Sequence, residues 1–547
     1  MKMKMKRSLL LVASSIFAIC LSVICGFGFA KPTYTVSADG SSIEMISGAS
    51  VRLVSNDPGL RFTATVSKTE YEAVKTANGT FGMFILPNAY RTSVGEIDET
   101  NAFGESATYC WGSATEGKTQ IVHCEVDELM QMSEDGNSYY FVCALTNIKA
   151  TNYELDFFAR AYYEVDGVRT WAAINENNVR SASYVAQKAL GDADYTPTAA
   201  GKTALVEYVT QFEEVNADAE GQASLYVADL ANVASIAVDG AAATYTNTDG
   251  KATLSNLTTG RHTATVTHND GSTWDVPFVY ATMVLRTSDD IEAMEALWTE
   301  TYTATSSYLV ENQYFVLAND ITYTNTSGYQ LPDQTNCKLQ DSTFDGYGHS
   351  IKNLLFKGAR WGLLGNTITR CTVKDVAFVD AYVSGSTNAT VICGSMSAST
   401  IENVFISGYC NSSNGNSYLM AGRCSTNSKI TDCVVIDNSY AKKEVTLNAK
   451  NTAAVTRMTA SDTTASISNT VVCTGGTAVA NNATAGVDLM TNGDTRVTDC
   501  AKVGLNDAAS LITALKALAA KDNDWTFDEE TNTLYLMGNA VYTVVTE

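Results

Sequence analysis

The stretch TFDGYGHSIKNLLF, Thr343 to Phe356, sets an aspartate and a histidine beside two glycines. It reads either as the catalytic loop of a sugar-cleaving enzyme or as the corner of a scaffold, and repetition decides between the two. From residue 350 onward, Ile or Val, any residue, then Asn or Asp recurs. The instances are Ile351-Lys352-Asn353, Val373-Lys374-Asp375, Ile401-Glu402-Asn403, Ile430-Thr431-Asp432, Ile467-Ser468-Asn469 and Val497-Thr498-Asp499, with steps of 22, 28, 29, 37 and 30 residues. GLLG at 362–365, VICG at 391–394 and LMAG at 419–422 each end seven or eight residues before the next instance.

One residue beyond the Asn or Asp stand Leu354, Val376, Val404, Cys433, Thr470 and Cys500; three beyond stand Phe356, Phe378, Ile406, Val435, Val472 and Lys502. Apolar positions of period two, repeated coil after coil, describe strands that turn one face inward. Each coil is too thin to bury that face alone, so the coils stack into a β-solenoid. All six prolines (32, 58, 87, 197, 277, 332) precede residue 333, as expected where a parallel ladder uses every backbone N–H. Asn and Asp suit corners because they bond to nearby backbone and tolerate left-handed turns. On this pattern the opening stretch is a corner.

The residues Phe344-Asp345-Gly346-Tyr347-Gly348-His349-Ser350-Ile351, Gly362-Leu363-Leu364-Gly365 and Val373-Lys374-Asp375-Val376, with the upstream strand Tyr314 to Ile321, resemble the GLUG-motif, pectin-lyase-like β-helices of bacterial surface proteins. The resemblance covers 286–547 and implies a right-handed parallel β-helix; it implies no particular activity. GLLG is intact only once, and Lys502 interrupts an apolar column, which suits a terminal coil. Helical caps are expected at both ends. SDDIEAMEALW (288–298) has a Ser cap and sets Ile291, Met294 and Trp298 on one face; NDAASLITALKALAAK (506–521) aligns Leu511, Leu515 and Leu518 over the last coil, and WTFDEETNTLYL closes the unit.

Residues 41–215 read as a β-rich, sandwich-like module with a helical segment. Leu60, Phe62, Ala64 and Val66 alternate with polar residues, as do Phe157, Ala159, Ala161 and Tyr163 before the hairpin signal Asp166-Gly167. Residues 182–214 read as helical, interrupted around Pro197. GASVRLVSNDPGLRFTATV and FFARAYYEVDG resemble a module of secreted proteins from Gram-positive gut anaerobes, a resemblance that carries no activity. Residues 216–285 read as a small Ig-like sandwich used as a spacer. The fold class is therefore all-β and multidomain.

Residues 1–30 have the layout of a signal peptide: Lys2, Lys4, Lys6 and Arg7, an apolar run, then Gly28-Phe29-Ala30. The alternative is an uncleaved anchor, since the run is long enough to span a bilayer. Removing the signal takes four of 36 basic residues and no acids, leaving 32 − 59 = −27. Such a chain lacks the basic footprint that nucleic acid requires, and no second membrane segment is apparent. Secretion or display on a Gram-positive cell surface is expected, with no membrane contact after cleavage. Eleven cysteines follow the signal, without CxxC, and His123, His262, His268 and His349 lie far from zinc spacing. Neither a metal nor a cofactor is implied, and most cysteines read as small buried apolar residues.

Polygalacturonase-type hydrolysis needs paired carboxylates across the scissile bond. Asn247-Thr248-Asp249 leads into Gly250 as a turn, Asp289-Asp290 starts a cap helix, and His349 is followed by serine, so that set is not assembled. A lyase needs an acid cluster and a basic residue; Arg370, Lys374, Asp375 and Asp380 are close in sequence, but Asp375 belongs to the corner column, and a solvated face accounts for them. No GxSxG, HExxH or phosphate loop occurs. No catalytic residue is assigned. Trp111, Tyr162 and Trp171 are candidates for an aromatic platform under a sugar, or for core. Arg52, Arg61 and Arg160 are candidates for acidic sugars, or for pairing with the many acids. The sequence thus points to adhesion or glycan binding without catalysis, toward glycans or host or cell-surface polymers. The rival readings are a polysaccharide lyase or glycoside hydrolase on the β-helix, and a structural surface-layer component.

Overall fold

A computed structural model describes residues 43–53, 59–90, 109–111, 119–126, 130–216, 218–300, 308–329, 331, 336–357, 362–384, 390–411, 417–440, 452–481 and 487–546. The signal-like residues 1–30 lie outside this set. Among the described residues 47% are strand and 16% helix, and the protein is an all-β multidomain chain. It divides into two compact units: Met1–Gln211 with Gln222–Asn256 and Arg261–Phe278, and Phe212–Gly221 with Leu257–Gly260 and Val279–Glu547.

The first unit packs two sheets face to face. One orders Ile43–Met45, Gly59–Ser67, Ser138–Thr146 and Gln131–Met132; the other orders Val168–Trp171, Phe157–Val165, Thr80–Pro87, Thr119–Val126 and Tyr109–Trp111. Leu60, Phe62, Ala64 and Val66 meet Phe81, Met83, Ile85, Ala159 and Ala161 in one core, as the alternation predicts. Arg61 and Thr65 are buried as well, because Arg61 donates to the Val51 carbonyl (3.1 Å) and Thr65 to that of Tyr139 (3.2 Å). Asp166 (φ 52°) and Gly167 (φ 78°) form the expected hairpin turn. The helical segment is two helices, Ala182–Gly191 and Ala199–Val209, capped by Ser181 and Thr198. Residues Gln211–Glu214, expected as helix, form a strand.

Within the same unit, Ala223–Tyr226, Tyr245–Thr248 and Lys251–Leu254 form a small antiparallel sheet. Asp249 (φ 52°) and Gly250 (φ 80°) turn between the last two strands, so Asn247-Thr248-Asp249 is a turn as read. The fully buried Gln187 donates to the Tyr226 carbonyl (3.1 Å) and accepts from the Ala228 amide (2.8 Å) and Trp274 Nε1 (3.3 Å). These bonds tie the helical segment to the residues after 222.

The second unit is a β-solenoid of about 6 turns. Its strands pair in parallel and in register, coil on coil. One inward column runs Phe315, Phe344, Val373, Ile401, Ile430, Ile467, Val497. A second runs Ile321, Ile351, Phe378, Ile406, Val435, Val472, Lys502. A separate parallel sheet contributes Val310, Leu339, Ile368 and Met396. The GLLG, VICG and LMAG segments also stack, with Leu363 donating to Val391 and Val391 to Leu419 (2.8 and 2.9 Å). All these aliphatic and aromatic residues except Val497 belong to one buried core.

The register corrects the repeat at its start. Val373 stacks on Phe344, a step of 29 residues (344 to 373), and not on Ile351. Ile351 stands one corner further on, beneath Phe378, and Phe356 lies in a third strand row beneath Val383. The misreading has a physical origin, because both corners use the same device. Asp375, Asn403, Asp432, Asn469 and Asp499 turn the first corner with positive φ, and Asn353 and Asp380 (60° and 55°) turn the second. An Ile-x-Asn triplet is therefore compatible with either.

Both terminal helices form. Ser288–Glu300 buries Ile291, Met294 and Trp298, but its cap is Thr287 rather than Ser288: Thr287 Oγ1 accepts the Asp290 amide (3.2 Å), and the Asp290 carboxylate accepts the Thr287 amide (2.8 Å). Ala508–Ala519 buries Leu511, Leu515 and Leu518 against Val471–Thr474 and Ala501–Val503. The chain after it does more than close the last coil. Trp525–Asp528, Thr533–Leu536 and Asn539–Thr543 form an antiparallel sheet that runs back along the flank of the solenoid. This strap covers the outward residues Ala377, Phe405, Val434 and Val471 of the second strand row in a core of its own. Trp525 Nε1 donates to the Asp432 carbonyl (3.0 Å), and the Tyr542 ring packs on Phe405 (centroids 5.6 Å). Lys502, which breaks the second column, pairs with Asp488 (2.8 Å).

Eight cysteines among the described residues are buried: Cys143, Cys337, Cys371, Cys393, Cys410, Cys424, Cys433 and Cys473. Burial pushes the Cys424 thiol up to about 12 and the Cys473 thiol up to about 11. Since the thiolate is the reactive form, the native protein is expected to leave these eight unmodified by Ellman's reagent and to release them on unfolding in guanidinium. Rapid native modification of the solenoid cysteines, located by peptide mapping, would contradict this packing.

Candidate functional site

The acid and the histidine of the opening stretch are held by the coil beneath them. Asp345, fully buried, accepts from Tyr314 Oη (2.6 Å) and from the Tyr347 amide (2.9 Å). His349 Nδ1 lies 3.7 Å from Asp320, which also accepts the Ser350 amide (2.9 Å) and Lys352 Nζ (3.1 Å). Burial opposes ionisation of Asp320, yet the bonds from His349, Ser350 and Lys352 outweigh it and hold the carboxyl well below the usual range.

The four residues grouped in sequence as a lyase cluster do not converge. Arg370 grips Asp341 through two bonds of 2.6 and 2.7 Å. Lys374 Nζ lies 3.8 Å from Asp345. Asp375 accepts from Asn403 Nδ2 (3.0 Å) at the first corner, while Asp380 turns the second corner and donates its amide to Ser407 Oγ (3.0 Å).

Of the three candidate aromatics in the first unit, two come together. Tyr162 and Trp171 are 2% and 8% exposed, with ring centroids 5.1 Å apart, in a cluster with Phe84, Leu86 and Phe158. Gly82 makes room for Tyr162, whose ring atoms stand 2.5 Å from where a Cβ would be. Guanidinium groups cover both rings: Arg169 lies 4.9 Å from the Tyr162 centroid and Arg160 5.4 Å from that of Trp171. Arg169 also pairs with Glu164 (2.6 Å), and Arg160 donates to the Ala172 carbonyl (2.7 Å). Trp111 is on the opposite edge strand of the same sheet, four strand spacings from Val168–Trp171, or about 19 Å. Its side chain lies outside the described residues.

A different aromatic pair lies on the solenoid. Beyond the second corner the strands continue into a third row, where Leu355 stacks under Tyr382 and Tyr382 under Tyr409. Phe356, Val383 and Cys410 alternate with them and are buried, so Leu355, Tyr382 and Tyr409 face outward and are half-buried. The tyrosine rings pack tilted, with centroids 4.5 Å apart and 32° between planes, close to the spacing of neighbouring strands. Asn411 Nδ2 reaches Tyr382 Oη at 3.5 Å, and Ser384 and Asn411 form the next outward pair. Gly408 lets the two coils close: a Cβ there would lie 2.1 Å from the Ala381 carbonyl oxygen. Parallel pairing thus builds a contiguous aromatic strip with a polar margin, an amphipathic surface against which a sugar ring can pack. The sequence carries a signal for it. Tyr382 and Tyr409 are 27 residues apart (382 to 409), one coil, at outward positions that the inward columns do not include.

No family model matches the chain, and no curated protein matches it. Among solved structures, one described as a "putative immunoglobulin A1 protease" from Bacteroides ovatus aligns at 14% identity, over 47% of this chain and 92% of that one, with a TM-score of 0.28.

Proposed function

We propose that this is a secreted or cell-surface adhesion protein that binds glycans along the outer face of its solenoid, without catalysis. The observation that carries the reading is the half-buried, contiguous pair Tyr382 and Tyr409. Rings fixed by strand register are pre-organised, so little side-chain freedom remains to be lost on contact with a ligand. Host or cell-surface polymers are the partners proposed. The formal charge of −23 favours neutral glycans over polyanions. Export through residues 1–30 and a Gram-positive source belong to the same proposal.

A glycan array with residues 31–547 tests it. Tyr382→Ala and Tyr409→Ala are each expected to weaken binding about tenfold, from about 1.4 kcal/mol per stacked ring, with the fold unchanged by circular dichroism. Trp171→Ala is the comparison: its covered ring is expected to affect the fold of the first unit and not the ligand. Equal binding by both tyrosine variants, or loss of the arrayed polymer, would sink the proposal.

A further inference from the structure

The outward column of the first strand row stands apart from the tyrosine strip. It runs Val316, Asp345, Lys374, Glu402 on successive coils in register, about 4.8 Å apart, so the lysine lies between two carboxylates. The side chain of Asp345 is 0% exposed and that of Lys374 24%. Tyr314 and Tyr347, whose hydroxyl and amide bond to the Asp345 carboxyl, pack with Val279, Ala281 and Phe212 in an apolar cluster. A charge pair held in such a place is costly, because both ions lose water. It is also poorly made as an ion pair. Lys374 Nζ stands 3.8 Å from Asp345 Oδ2, whereas the solenoid pairs Lys352 with Asp320 and Lys502 with Asp488 close to 3.1 and 2.8 Å on more exposed acids.

We infer that Lys374 and Asp345 are a site of covalent cross-linking, an amide between Nζ and Cγ that ties two successive coils together. Strand register holds the two groups near contact distance, the condition under which an intramolecular reaction gains most. A lysine among apolar side chains gives up its proton more readily and becomes nucleophilic. Glu402 takes one proton from the ammonium, and the free amine attacks Asp345 Cγ. Oδ1 stays as the amide oxygen, its developing charge met by the Tyr347 N–H (2.9 Å), and Oδ2, to which Tyr314 Oη donates (2.6 Å), leaves. The two protons that the ammonium loses depart with Oδ2 as water, and Glu402, having relayed one of them, is unchanged. A C–N bond forms and a C–O bond breaks, so the step uses no oxidant or reductant. The product replaces two buried charges by one neutral amide and closes a ring through residues 345–374.

The intact mass of the denatured chain, produced as residues 31–547, reads the outcome. The folded wild type is expected to be one water lighter than its sequence. Tryptic digestion should yield a branched peptide joining Asp345 to Lys374, with no cleavage after Lys374. Lys374→Arg should restore the full mass, and Glu402→Gln should slow the loss of water about a hundredfold, both variants keeping the wild-type circular dichroism. Lys502→Arg, which alters an ordinary ion pair, should stay one water light. Full mass in the folded wild type would overturn the inference. So would a loss of water that persists in Lys374→Arg, since that would mark a succinimide at Asp345-Gly346; the Gly346 amide needed for it already donates to the Lys374 carbonyl (2.9 Å).

Discussion

Trp525→Ala is expected to cost the second unit about 4 kcal/mol and to loosen the strap from the solenoid. The indole is 1% exposed at the centre of the core that the strap shares with the second strand row. Truncating a buried tryptophan removes its transfer energy and leaves a cavity, typically about 3–5 kcal/mol together. Its Nε1 bond to the Asp432 carbonyl is lost as well, leaving that oxygen to find water. Guanidinium unfolding of the full chain measures the cost. Limited proteolysis should also cut the variant near 504–507, ahead of the strap helix, well before the wild type. Unchanged stability and unchanged cleavage would mean that the strap contributes little to the unit.

Gly346→Ala is expected to cost about 3 kcal/mol, although it adds a single methyl. A Cβ at this position would lie 2.3 Å from the Asp375 carbonyl oxygen and 2.4 Å from Val376 Cα, which belong to the backbone of the next coil. No side-chain rotation relieves that contact; the coils must separate, and the Gly346 amide bond to the Lys374 carbonyl (2.9 Å) separates with them. Gly504→Ala is the control, since nothing stands within 4 Å of its Cβ site. A thermal melt comparing the two variants decides the matter. Equal melting temperatures would show that the coils give way more easily than their spacing implies.

The solenoid was legible because its inward columns obey period two and its corners use Asn and Asp, both visible in a linear string. The strap along the flank was not read, though a mark of it is present. Val434-Val435-Ile436 and Val471-Val472-Cys473 are apolar at every position, and a strand buried on both faces loses its alternation. Only Val435 and Val472 belong to the inward column; their neighbours meet the strap. The tyrosine strip was missed for a related reason. Asp380 interrupts the pairing between Phe378 and Ala381, so Tyr382 and Tyr409 stand at different offsets from Val376 and Val404. The sequence groups Trp111, Tyr162 and Trp171; Trp111 stands on the opposite edge strand, while Tyr162 and Trp171 meet. Their cover could not be foreseen, because it depends on Arg169 and Arg160 folding over the rings.

The long coil has a consequence for change in this protein over time. From Ile430 to Ile467 the chain takes 37 residues, eight more than the preceding step of 29 (401 to 430). Even so, Val434 to Asp437 rejoin Val471 to Thr474 in perfect register. Six of the extra residues precede Thr452, which rejoins Ser417 in register (16 residues from 401 to 417, 22 from 430 to 452), whereas Ala454, Val455 and Met458 further along belong to the core. Lengthening a loop costs only about 0.6 kcal/mol per doubling, so residues can be gained or exchanged ahead of Thr452 while the coils above and below keep their places. At Gly346 a single methyl is forbidden. Sequence drift, or a deliberately grafted peptide, therefore has an open position on one side of the solenoid and a closed one on another.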